Sequence, residues 1–179
     1  MKTKICFFGL LHVKKNENRN LNFHTINNDQ KIIVYLKNAI FLDKQLNNYG
    51  YDLTLITNNK RYLSKLLKKL GHKINLVSIE FKTYVPKNTH FYSCHFRVDV
   101  FKYFSTLKNN YSVLLDLDIL ILDNPNKISF YAKNQISLVN DISKTILPAY
   151  GKKNVLKNLN ILNPNINKVV WIGGDFFEG

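Results

Sequence analysis

The sequence is poor in the residues that would tie it to a disulfide scaffold, a histidine–cysteine metal centre or a membrane span. It holds two cysteines in 179 residues, Cys6 and Cys94, and neither has metal-ligand spacing. They read as reduced thiols of a cytosolic protein. The five histidines are scattered in the same way. His12, after an apolar run, and His95, before a helical one, are the two placed nearest to a site, and ordinary surface or core roles account for both. No segment approaches the roughly 18 apolar residues of a membrane span. Met1-Lys-Thr-Lys followed by Ile5-Cys-Phe-Phe-Gly-Leu-Leu11 has the outline of a secretory signal. Its apolar part is minimal, however, and His12-Val-Lys-Lys-Asn offers no small-residue cleavage site, so a first strand is expected there. Internal repeats and linker composition are also lacking, which leaves one domain over residues 1–179.

Negative charge is scarce. Twelve Asp and Glu stand against 26 Lys and Arg, giving a formal charge of +14 and a pI near 9.7. That balance points to an anionic partner: a nucleotide, a phospholipid surface or a nucleic acid. The abundance of Lys, Asn and Ile is also what an AT-rich genome produces. There is no long Lys/Arg block, and the aromatics read as core rather than as base-stacking platforms, which disfavours nucleic acid.

What is present suffices for a core. Hydrophobic residues make up 45% and aromatics 13%, which excludes disorder. The patterns alternate between strand and helix. Lys4 to Leu11 reads as a strand, and the Asn-rich stretch 14–29 as a loop. A helix is expected over Lys31 to Tyr49, with Tyr35, Ala39, Leu42, Leu46 and Tyr49 on one side and Gly50 as its stop. Asp52 to Thr57 is a second strand. Asn58-Asn59 then caps a helix striped by Leu63, Leu66, Leu67 and Leu70, with Arg61, Lys65, Lys68 and Lys69 outside as a solvated face. After Gly71, Ile74 to Phe81 alternates as a third strand, 82–95 is a loop containing Pro86, and Phe96 to Leu107 is helical with Phe101, Phe104 and Leu107 along one side. A short strand over Gln135 to Asn140 and a short helix near Val155 to Leu159 follow. This order predicts an α/β fold: an open, mostly parallel twisted sheet flanked by helices, with ligands bound outside the carboxyl ends of its strands.

The most informative stretch is Tyr111-Ser-Val-Leu-Leu-Asp116-Leu-Asp118-Ile-Leu-Ile-Leu122. It reads as a buried strand interrupted by two carboxylates, where an ionised group needs a partner. Residues two apart on a strand share a face, so Asp116 and Asp118 are expected to look into one space while Leu117 turns into the core. Two converging hard oxygen donors make a site for Mn²⁺ or Mg²⁺, ions that commonly also bind substrate phosphates. The bland alternative is a strand that ends at Leu115 and is followed by two solvated aspartates. The continuing run Ile119 to Leu122 speaks against that.

Two further stretches stand out. In Trp171-Ile-Gly-Gly-Asp175-Phe-Phe-Glu-Gly179, glycines within an apolar segment imply close approach of a ligand or another backbone. A Gly-rich hairpin with an exposed Asp is the plainer reading. In His95-Phe-Arg97-Val-Asp99-Val, Asp99 suits the first turn of a helix. Arg97 lies one turn before Phe101 on the inward side, where it seeks a carboxylate or a phosphate.

In this order the three stretches resemble GT-A glycosyltransferases, and among those the group containing the blood-group A/B and α-1,3-galactosyl transferases. The Pro148-Ala149-Tyr150 segment adds to that likeness. The resemblance implies a GT-A (Rossmann-like) fold and a metal-dependent transfer of a sugar from a nucleoside-diphosphate donor, UDP-sugar by family habit. The acceptor would be a surface glycan such as lipopolysaccharide or capsule, or a lipid-linked glycan. Composition and the lack of a targeting signal point to a bacterial, cytoplasmic setting, and the strongly basic balance suits peripheral contact with an anionic membrane. It implies that Asp118 ligates Mn²⁺ or Mg²⁺ and that Asp116 reaches the metal through water or the ribose. Leu117 falls in the same donor-binding segment. Arg97 would hold Asp116 or the donor phosphates, with Asp99 beside it. Phe8, Gly9 and Leu10 would border the base, Gly173 and Gly174 would admit the sugar, and Asp175 would act at the reacting hydroxyls. The sequence stops at Gly179 directly after the last motif, so the acceptor-binding part is expected to be missing and donor binding to exceed transfer.

Two other readings compete. A haloacid-dehalogenase-type phosphatase also feeds Asp-x-Asp from an apolar strand, with the first Asp as nucleophile. Ile119-Leu120 stands where that family has small residues or Thr, and no downstream paired acidic motif follows. The second is a non-catalytic basic α/β module that binds membrane or nucleic acid, recognisable by salt-sensitive binding that needs no nucleotide.

Overall fold

In the computed structural model, residues 4–13, 28–86, 92–108, 110–128, 133–134, 138–141, 152–165 and 172–178 are described. Most of the expected 14–29 loop, the Pro148-Ala149-Tyr150 segment and Trp171 lie outside them. The elements are β1 Lys4–Leu10, α1 Asn28–Asn47, β2 Leu53–Thr57, α2 Lys60–Lys69, β3 Asn75–Ser78, α3 Arg97–Phe104, β4 Asn110–Leu115, β5 Leu138–Asp141, α4 Lys152–Leu162 and β6 Ile172–Glu178.

The strands form one six-stranded sheet in the order β3-β2-β1-β4-β6-β5. β3, β2, β1 and β4 are mutually parallel, while β6 runs antiparallel to both β4 and β5. This is the expected α/β class, with a parallel core of Rossmann-like order. The chain winds outward from β1 through β2 to β3, then returns to place β4 on the other side of β1. The strand order therefore reverses between β1 and β4, where such sheets open a crevice at their carboxyl edge.

Alternating side chains divide the core into two layers. Phe7, Leu53, Leu55, Val113 and Leu115 face one side with Leu36, Ala39, Leu42 and Leu46 of α1 and Leu63 and Leu67 of α2. Phe8, Ile56 and Leu114 face the other, with Val100 of α3 and the half-buried Tyr103 and Phe104. Strands covered on both faces read as continuous apolar runs, as β1, β2 and β4 do. Leu55 and Leu63 are fully buried, and truncating either to Ala would cost about 2–5 kcal/mol.

Local signals hold where they were strong. Asn59 caps α2, its Oδ1 accepting from the Tyr62 N–H at 3.2 Å. Gly50 and Gly71 sit at φ +80° and +69° just past α1 and α2, a backbone state that favours glycine. Several expectations need correction. β3 stops at Ser78 rather than Phe81; Ile79 donates one last bond to Thr57 at 3.1 Å, and β2 extends no further to pair with. The 82–95 loop contains a 3-10 turn, Tyr92–Phe96. Phe101 is exposed rather than inward, and Val100 takes the core position. α4 runs from Lys152 to Leu162, longer than expected, because neither Gly nor Pro interrupts it before Pro164.

The carboxylate strand also needs correction. β4 ends at Leu115, and Leu117 and Asp118 lie in a turn. Ile119 and Ile121 still pack partly against the core, and Leu120 and Leu122 are exposed. The alternation that looked like strand arises from a loop lying on α1, where the Ile121 N–H donates to Gln45 Oε1 at 3.3 Å.

Candidate functional site

The carboxylate turn is held from two sides. Arg97, at the start of α3, donates from Nη2 to Asp116 Oδ1 in a mostly buried ion pair. Beneath the turn, Leu117 is buried and fills the space over Gly9 of β1, where a Cβ would collide with its side chain. Gly9 is thus required by the packing of Leu117, and this contact ties the end of β4 to the end of β1. Asp118 stands exposed beyond it.

β6 brings the glycine stretch to the same edge. Leu115 pairs with Phe176, and continuing that antiparallel register by one residue sets Asp175 level with Asp116. Gly174 and Gly173 follow at the same end of β6. Asp141, at the end of β5 opposite Ile172, reaches this edge as well, an acidic residue that the sequence did not single out. Arg97 and the Asp116–Asp118 turn therefore stand at the carboxyl end of β4 beside the β1/β4 switch point, with the Gly-Gly-Asp segment of β6 on the next strand, away from β1.

A cavity of about 560 Å³ opens over the carboxyl ends of β1, β2 and β3, lined among others by His12, Asn58, Phe81, Thr83, Tyr92 and Phe96 and by none of the carboxylate turn. Its wall is aromatic. His12 lies 4.4 Å from Phe96 and 5.3 Å from Phe81 between ring centroids, and Tyr92 lies 5.2 Å from Phe96. Asn58 fixes the chain leaving β1 by exchanging two hydrogen bonds with the Val13 backbone, at 2.8 and 2.9 Å. Phe96 and Arg97 are consecutive, so the cleft wall and the anchor of Asp116 share one entry into α3.

Asp99 is buried and accepts from the Thr83 N–H at 3.0 Å. Burial alone would raise its pKa. Hydrogen bonds from the Thr83 N–H and hydroxyl and from the Lys82 N–H, with Lys102 nearby, outweigh it and hold the carboxyl below its ordinary range. Asp99 thereby secures the 82–83 segment that borders the cleft.

The residues assigned from the sequence are distributed as follows. Arg97, Asp116, Leu117, Asp118 and Gly9 cluster at the switch point. Phe8 is buried against Phe104 at 4.8 Å, and Leu10 packs half-buried on the same layer. Phe81, Tyr92 and Phe96 fall at the end of the expected third strand, in the 82–95 loop and at the start of the expected helix, and nothing local in the sequence marks them as cleft-lining. Among the described residues, no group of three or more His, Cys, Asp or Glu converges as a metal cage. The expected strand geometry that would turn Asp116 and Asp118 to one face is absent: Asp116 is engaged by Arg97 and Asp118 stands exposed in the turn after β4. No helix among the described residues is long and apolar enough to cross a membrane. No protein-family model matches the chain, and no curated protein matches its sequence.

Proposed function

We propose that this chain is a metal-dependent GT-A glycosyltransferase, or the donor-binding part of one, acting on a nucleoside-diphosphate sugar. The observation that carries the reading is the position of the Arg97–Asp116 ion pair and Asp118 at the carboxyl end of β4, next to the β1/β4 switch point, with an aromatic-walled cleft over the ends of β1 to β3. Open α/β sheets bind nucleotides at this location.

In this reading the base enters the cleft against His12, Tyr92 and Phe96, whose faces and edges suit a flat heterocycle. The diphosphate lies toward Asp116 and Asp118, which would hold Mn²⁺ or Mg²⁺. When bound, that ion neutralises charge developing on the departing nucleoside diphosphate. Arg97 orients Asp116 and adds a fixed positive charge at the same place. Gly173 and Gly174 would admit the sugar at the edge, and Asp175 would accept from its hydroxyls. The acceptor is a glycan or lipid-linked glycan of a bacterial surface polymer, and UDP is the first nucleotide to test.

The test is calorimetric titration of UDP with and without Mn²⁺, repeated on Asp118→Asn. Binding that requires Mn²⁺ and is lost in the variant supports the reading. Binding indifferent to both removes the Asp-x-Asp assignment, and Mg²⁺-dependent hydrolysis of an aryl phosphate without UDP binding replaces it with the phosphatase reading.

A further inference from the structure

Helix α2 carries charge of one sign on one face. Leu63 and Leu67 are buried and Leu66 and Leu70 half-buried, which fixes Lys60, Arg61, Lys65, Lys68 and Lys69 outward, with Lys73 exposed past the Gly71 turn. No Asp or Glu occurs from Leu53 to Ile79. Among the described residues, ion pairs join Lys82 to Glu80, Arg97 to Asp116 and Lys127 to Asp123, and none involves α2.

Helix stability accounts for Lys68 and Lys69, which suit the macrodipole in the last turn, but not for the rest of this pattern. Lys60 and Arg61 occupy the first turn, where the macrodipole favours acidic residues, and α2 has none there. Arg61 with Lys65, and Lys65 with Lys69, are like charges four residues apart, an arrangement that destabilises a helix in water. α1 and α3 follow the opposite rule, with Asp29 and Asp99 in their first turns and Lys44 and Lys102 in their last. α4 shares the departure, with Lys152 and Lys153 and no acidic residue in its first turn and Lys153 four residues before Lys157, so α2 is set apart by the number of cations it turns outward.

We infer that the outer face of α2 docks the protein on an anionic lipid bilayer. Four lysines to one arginine on the helix, with Lys73 just beyond it, act as point charges on flexible stems, which suits a diffuse sheet of headgroup charge. Nucleic-acid surfaces rely more on planar arginines and stacking aromatics. The one aromatic of this helix, Tyr62, turns toward α1, where its hydroxyl donates to Asp29 at 2.7 Å. α2 begins at the carboxyl end of β2, the edge that carries the cleft, so docking holds the cleft beside the membrane. That consequence rests on the proposed donor site; the docking itself does not.

The experiment is flotation of the full chain with phosphatidylcholine vesicles with and without phosphatidylglycerol. Three proteins are compared: wild type, K65E/K68E/K69E, and K108E/K153E/K157E, whose exposed lysines lie elsewhere and whose net charge change is the same. The expected result is binding only to the anionic vesicles, weakened by salt. The α2 variant should lose it by more than about 100-fold, the effect of removing three lysine–surface attractions, because each Lys→Glu change adds a repulsion as well, while the control variant keeps it. Absence of binding overturns the inference, as does equal loss in both variants, which would reflect net charge alone. Preferential retention on duplex DNA overturns it in favour of a nucleic-acid face. Titration of UDP and Mn²⁺ into the same α2 variant is expected to match wild type, so failure of docking and failure of the donor site are separate readouts.

Discussion

The guanidinium of Arg97 and the carboxylate of Asp116, nineteen residues apart, form the ion pair that joins the start of α3 to the end of β4. Both side chains are largely withdrawn from water, at 17% and 31% exposure. The pair is therefore less screened than a surface bridge. Arg97→Ala leaves a half-buried carboxylate without this partner and is expected to destabilise the fold by about 1–3 kcal/mol, read from urea midpoints. The double variant R97A/D116A should recover part of that loss. Strict additivity in the cycle would mean that the pair is not coupled in solution.

A second prediction concerns Gly9. A Cβ there meets the Leu117 side chain inside the core, so Gly9→Ala is expected to cost about 1–3 kcal/mol through overpacking. Because Leu117 lies between the two carboxylates, the same change should also weaken Mn²⁺-dependent UDP binding. Leu117→Ala opens the space, so G9A/L117A should be more stable than the sum of the single losses predicts. Additive losses in thermal unfolding would refute the contact.

The third prediction is a pH dependence. Asp99 has its carboxyl held below the ordinary range, so the unfolded chain binds its proton more readily than the folded one. Its contribution to stability is complete above the unfolded value of about 3.9 and is lost as pH falls through the lower folded value. Asp99→Asn should therefore differ from wild type most at neutral pH, and the two urea midpoints should converge in acid. A constant gap down to acid pH would show that Asp99 does not titrate as described.

Cys94 offers a probe of the site. It is an exposed thiol on the 3-10 turn between Tyr92 of the cleft and Arg97, whereas Cys6 is half-buried in β1. In a Cys6→Ser background, maleimide labelling of Cys94 should slow several-fold when UDP and Mn²⁺ are added together. Protection by neither, with binding independently demonstrated, would move the nucleotide away from this turn.

Much of the scaffold was legible because its cues are local. The Leu stripe of α2, its Asn59 cap and the stop glycines Gly50 and Gly71 each act within a few residues. The buried strands announced themselves as apolar runs. These features fixed the α/β class, the bounds of α1 and α2 to within a few residues, and the carboxylate stretch as an anomaly needing a partner.

Tertiary structure alone decided how those parts meet. Strand order depends on long-range pairing that leaves no local trace, so the position of β6 beside β4, which brings Asp175 level with Asp116, could not be read from either segment. The end of β4 at Leu115 is likewise a tertiary outcome: Arg97 takes Asp116, Gly9 admits Leu117, and the chain turns out of the ladder although its apolar alternation continues. His12, Phe81, Tyr92 and Phe96 come from separate stretches of the chain. His12 stood near a site by its place after the first strand, but no local signal joins it to Phe81, Tyr92 and Phe96, and only the folded sheet edge brings the four rings to one cleft.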